Sequence, residues 1–69
     1  MRFTFFYGQQ IYLQTNDWGE MNRIMRDGPE GLWLFDRLGN GVWYFKGSGH
    51  QPDANVPPYL KVLQLVLSL

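Results

Sequence analysis

The sequence predicts an α+β domain with a four-stranded antiparallel sheet and two helices, ordered β-β-α-β-β-α and stacked in two layers. Three observations carry that expectation. Two β-rich stretches, residues 2 to 14 and 32 to 46, each enclose a glycine-containing turn. A segment between them carries complete helix punctuation. The end of the chain, Y-L-K-V-L-Q-L-V-L-S-L, is leucine-rich behind two prolines.

In R-F-T-F-F-Y, alternation places Phe3, Phe5 and Tyr7 on one face of a strand. Gly8-Gln9-Gln10 reads as a three-residue turn into the return strand Ile11-Tyr12-Leu13-Gln14. That loop length sets Tyr7 opposite Ile11 and Phe5 opposite Leu13. Next, Asp17 is a helix N-cap, with Glu20 placed three residues on as in a capping box. Trp18, Met21, Ile24 and Met25 share one helical face. Arg23 and Arg26 approach the end where the macrodipole favours cations. Gly28-Pro29 stops the helix.

The second hairpin is L-W-L-F-D-R-L-G-N-G-V-W-Y-F-K. Its loop is either Asn40-Gly41 or the whole of Gly39-Asn40-Gly41. The longer loop would set Phe35 opposite Phe45 and Leu38 opposite Val42. A turn-rich connector, G-S-G-H-Q-P-D-A-N-V-P-P, follows. Residues 59 to 69 then allow two readings. A helix opened by Pro57 and Pro58 gathers Lys61, Gln64 and Ser68 into one polar stripe. A strand instead puts Leu63, Leu65, Leu67 and Leu69 on one face. The strand reading turns the chain into a five-stranded small SH3-like barrel with one helix. Trp43-Tyr44 followed by Val56-Pro57-Pro58-Tyr59 resembles the tryptophan pair and proline-tyrosine corner of SH3-like barrels, over the last third of the chain. The acidic loop and alanine-leucine-tyrosine opening of that family are missing, so none of its binding residues is carried over.

With 69 residues the chain is a single small domain, 1–69, and a domain of this size buries a modest share of its surface. It has no cysteine, which excludes disulfides and thiolate metal sites. Five Phe, four Tyr and three Trp supply the burial that such staples would otherwise replace. Six basic residues balance six acidic ones. That neutrality argues against a dedicated nucleic-acid binder, which needs a basic excess to neutralise phosphate. No apolar run reaches the length of a membrane span, and M-R-F-T-F-F-Y lacks the features of a signal peptide. A cytoplasmic protein is expected.

No constellation points to catalysis or to a cofactor. His50 stands alone in a glycine-rich loop, with Ser48 beside it and no partner at catalytic spacing. Gly47-Ser48-Gly49 leads into a proline-rich connector and not into the helix a phosphate loop requires. Asp17 and Glu20 serve capping, and Asp27 and Glu30 flank a helix end. Asp53 lies in the connector. Asp36 interrupts an aromatic strand and is expected to pair across the sheet. A non-enzymatic protein is expected.

The aromatic residues carry the functional expectation. Alternation puts Leu32, Leu34, Asp36 and Leu38 on one face, and Trp33, Phe35 and Arg37 on the other. Large apolar groups thus occupy both faces, and one helical layer covers one face. The second face is expected to be a contact surface, with Trp33, Phe35, Trp43 and Phe45 as anchors. Arg23, Arg26 and Arg37 would add charge-assisted contacts at the rim. The partner would be another protein, the chain acting as an inhibitor or adaptor of the kind phages and mobile elements encode. A homodimer or higher homo-oligomer is expected too. The alternatives are a single-stranded nucleic-acid binder using the same rings and arginines, or a purely structural homo-oligomer.

Overall fold

The computed structural model describes residues 1–39 and 41–67. The chain runs β1 (Phe3–Tyr7), β2 (Gln10–Thr15), α1 (Trp18–Asp27), β3 (Leu32–Asp36), β4 (Val42–Phe45), β5 (Gly49–Gln51), a 3-10 turn (Asp53–Asn55) and α2 (Pro58–Leu67). The strands form one open antiparallel sheet in the order β2-β1-β3-β4-β5, with β2 and β5 as its edges. The α+β class and the two helices are those expected. The sheet has five strands, the number in the alternative, but the fifth is Gly49-His50-Gln51 of the connector, which turns back along β4, and not residues 59 to 69. Gly47 and Gly49 make that turn possible with φ of 86° and 74°, and the Ser48 amide donates to the Phe45 carbonyl.

The layering differs from the two-layer expectation. Alternation along the strands builds two separate cores, one on each side of the sheet. Phe3, Phe5, Leu32 and Leu34 pack with Met21 and Ile24 of α1. Phe6, Phe35 and Trp43 pack with Val56 and with Leu60 of α2. The helices therefore cover opposite faces, and the sheet is the middle of three layers. This arrangement answers the excess of apolar residues that one helical layer could not bury. Residues 58–67 are helical, as one of the two readings required. The parts of those readings that involve Ser68, Leu69 and the placement of Asn40 in its turn lie outside the described residues.

Two registers depart from expectation. Phe5 faces Leu13, but Ile11 faces Phe6, and Tyr7 faces Gln10 across a two-residue loop. A bulge between these pairs absorbs the extra residue. It turns Ile11 from the α1 side to the α2 side, a point that matters below. In the second hairpin Trp33 faces Phe45, Phe35 faces Trp43 and Asp36 faces Val42, so residues 37–41 form a longer loop than either expected one. Two bonds account for this. The Leu38 amide donates to Asp36 Oδ1, and the Arg37 amide donates to the Arg2 carbonyl, which draws the chain toward β1 and away from β4.

Helix α1 begins as expected. The Asp17 carboxylate accepts from the Gly19 and Glu20 amides at 3.1 and 3.3 Å. The box is not closed by Glu20, since the Asp17 amide donates to Thr15 Oγ1 at 3.0 Å and Glu20 turns to Arg23. At the other end, a Cβ on Gly28 would lie 2.6 Å from the Ile24 carbonyl and 3.0 Å from Leu32 Cδ1. Glycine is there for close approach and not for a left-handed turn. Lys46 donates to the Gly28 carbonyl, tying the end of α1 to the turn after β4.

Candidate interaction surface

The residues expected to grip a partner fall into three groups. Phe35 and Trp43 are 1% and 0% exposed, packed beneath α2, and offer no surface while the helix is docked. Their rings lie 5.0 Å apart, and Trp43 also meets Phe6 at 5.8 Å. Trp33 and Phe45 are half-buried at the margin of that core, with ring centres 4.8 Å apart. Phe35 and Trp43 belong to the core, and Trp33 packs against it. The physical reason is the helix itself: α2 folds back over the face that the strand pattern alone left bare.

The arginines do not gather into one patch. Arg23 lies 3.8 Å from Glu20, and Arg26 forms two 3.0 Å hydrogen bonds to Asp27. Both sit on the outer side of α1, in water. The bond from Arg26 holds the Asp27 carboxyl below the usual carboxylate range and raises the Arg26 guanidinium. Arg2 lies apart from them and pairs with the buried Asp36 at 3.2 Å. Its guanidinium lies 4.5 Å over the Trp18 ring. Trp18 is consequently half outside the core assigned to it, covering Phe3 edge-on at 5.2 Å. Arg37 is exposed on the loop beside Leu38, at the opposite end of the sheet from the β1–β2 turn. His50 meets Tyr44 edge-on at 5.9 Å on the β5 edge. No group of three His, Cys, Asp or Glu residues could hold a metal ion among the described residues. No described helix is long and apolar enough to cross a membrane.

The exposed apolar surface lies elsewhere, on α2. The polar stripe expected to face water is split. Lys61 is exposed, but Gln64 turns inward, and its Oε1 accepts from the Trp43 indole at 2.8 Å. A buried indole N–H needs a partner, and Gln64 is the polar residue within reach. Anchored in this rotation, α2 buries Leu60 and turns Val62, Leu65 and Val66 outward at 64%, 71% and 66% exposure. These three share one side of the helix at i, i+3 and i+4. Beside them runs a groove of about 380 Å³ between α2 and the first hairpin, lined by Phe6, Gln10, Ile11, Leu63, Val66 and Leu67. A second hollow of about 290 Å³ continues it past Gln9, Tyr59 and Val62. Ile11 faces this groove because of the bulge in β2. The sequence carries a signal for this surface, since the apolar residues of Y-L-K-V-L-Q-L-V-L exceed what one buried helix face needs.

Compared with known protein families, curated proteins and solved structures, the chain matches none of them.

Proposed function

We propose that this chain is a small non-enzymatic protein–protein interaction module, an inhibitor or adaptor that works by occupying the surface of another protein. The observation that carries the reading is the outer side of α2. The solvent side of a helix is ordinarily polar, and Val62, Leu65 and Val66 lie in water beside Lys61. With Ile11 and the adjoining groove they form a continuous apolar area of the kind that marks interaction sites. The working surface is then α2 with its groove, in place of the strand rings beneath it. A short, cysteine-free chain of this type fits a cytoplasmic blocker encoded by a phage or mobile element.

A nucleic-acid role has less behind it. Base stacking needs free rings, and two of the four candidate rings are core. Arg23 and Arg26 already face carboxylates. The test is affinity capture from host lysate, followed by binding of the purified captured protein. Leu65→Glu should weaken that complex at least tenfold, and Arg23→Glu on α1 should leave it unchanged. Loss of binding in Arg23→Glu alone, or capture of nucleic acid with a steep salt dependence, would contradict the reading.

A further inference from the structure

The first hairpin offers a partner something that the helices do not. Strand β2 lies at an edge of the sheet and pairs with β1 alone. The N–H and C=O groups on its outer side therefore meet no strand among the described residues. Edge strands are ordinarily blunted by charge, proline, shortness or a bulge. The other edge, β5, is three residues long and begins with Gly49. By contrast β2 has six residues, and the stretch Y-G-Q-Q-I-Y-L-Q-T-N around it holds no charged residue and no proline. Its bulge falls between Ile11 and Leu13 and leaves Ile11 and Tyr12 at 53% and 46% exposure.

This edge is continuous with the groove beside α2. Ile11 faces Phe6 and Gln14 faces Thr4, so both lie on the α2 side of the sheet. A strand added to β2 places alternate side chains on that side as well. The one opposite Ile11 stands next to it, at the groove that Leu63, Val66 and Leu67 wall on the helix side. The space of about 380 Å³ suits side chains and not a whole element. We infer that β2 takes an extended segment of a different protein as a sixth strand. Main-chain hydrogen bonds run along the edge, and an apolar side chain enters the groove. The inference rests on the reading of the chain as an interaction module and names the form its partner takes.

The chemistry of the edge selects this occupant. A helix satisfies its own main-chain groups and would leave those of β2 to water. An extended segment answers them one for one. Its recognisable features are a proline-free, uncharged run about as long as β2 and a large aliphatic or aromatic residue opposite Ile11. A second copy of β2 fits less well. Antiparallel self-pairing over all six residues sets Gln14 opposite Ile11, which brings a polar side chain to an apolar groove. It also sets one bulge against the other.

The test uses a peptide selected on the purified chain from a random linear-peptide library. Its binding should protect alternate β2 amides from hydrogen exchange. N-methylation of the peptide backbone should abolish binding at alternate residues and spare it at those between, a pattern that a side-chain contact alone would not give. Ile11→Lys should weaken the peptide at least tenfold, and Arg23→Glu should leave it unchanged. Because Ile11 is half-exposed, that lysine is tolerated by the fold, and the N-methyl scan needs no variant of the chain at all. A library without binders, a bound peptide that leaves β2 unprotected, or a scan without alternation would overturn the inference. So would concentration-dependent protection of β2 in the peptide-free chain, which would give the edge to a second copy. A captured protein whose binding depends on Leu65 and is untouched by Ile11→Lys would overturn the added strand and leave the interaction module standing.

Discussion

The two helices have the same length and pack on opposite faces of one sheet, yet they end differently. Helix α1 buries Met21 and Ile24 and gives water Asn22, Arg23 and Arg26. Its start is capped by Asp17, its end is held by Lys46, and its outer side is finished. Helix α2 buries Leu60, pins Gln64 to Trp43, and gives water Val62, Leu65 and Val66. Burial of the sheet alone does not explain that composition. A side meant only for solvent costs nothing to make polar, as α1 shows. The difference separates a helix that completes a core from one that completes a core and presents a surface.

Substitutions can break this comparison, and the largest effect should come from the α2 side. Trp43→Ala removes a ring that is 0% exposed, together with its bond to Gln64, and should cost about 3–5 kcal/mol in urea denaturation. It should also expose Phe6 and Phe35 to a hydrophobic dye. On the α1 side, Gly28→Ala drives a methyl into the Ile24 carbonyl and Leu32. A loss of about 1–3 kcal/mol is expected, with the α2 face unaffected. Asp17→Ala leaves the Gly19 and Glu20 amides without their acceptor and should cost about 1 kcal/mol, read as a lower denaturation midpoint.

The smallest effect sharpens the contrast between a finished side and an unfinished one. The depressed Asp27 carboxyl contributes whatever stability it has above its unfolded pKa, and loses it as pH falls through the lower folded value. Both partners are fully exposed and adjacent in sequence, so solvent and salt screen the pair. Asp27→Asn should leave the neutral-pH midpoint unchanged at high salt. A large shift there would make α1 an electrostatic site instead of a solvated face.

Where the fold was legible, local chemistry decided it. The Asp17 cap, the Gly28 stop, the pairing of Phe5 with Leu13 and the β3–β4 hairpin all follow from neighbouring residues. What escaped was set by distant contacts. The bulge that reorients Ile11 leaves no mark in Gln10-Ile11-Tyr12-Leu13. The longer loop after Asp36 depends on the Arg2 carbonyl, from the far end of the chain. The strand Gly49–Gln51 is short and holds a glycine, so its pattern is that of a connector. Phe35 and Trp43, expected at a contact surface, are buried for a related reason. Alternation correctly put Trp33 and Phe35 on the face opposite Leu32 and Leu34, but it cannot say which helix covers which face. The rotation of α2 is held by Leu60 in the core and by the bond from the Trp43 indole to Gln64, and that bond leaves no mark in the periodicity.

That bond and the packing of Leu60 hold α2 over the strand rings. Hydrogen exchange of the three indole N–H groups, followed by NMR, tests them most directly. The Trp43 indole should exchange far more slowly than the half-exposed Trp18 indole, and Gln64→Ala should accelerate it. Equal rates for Trp43 and Trp18 in the wild type would mean that α2 does not cover the strand rings, and the interaction surface would belong to the sheet.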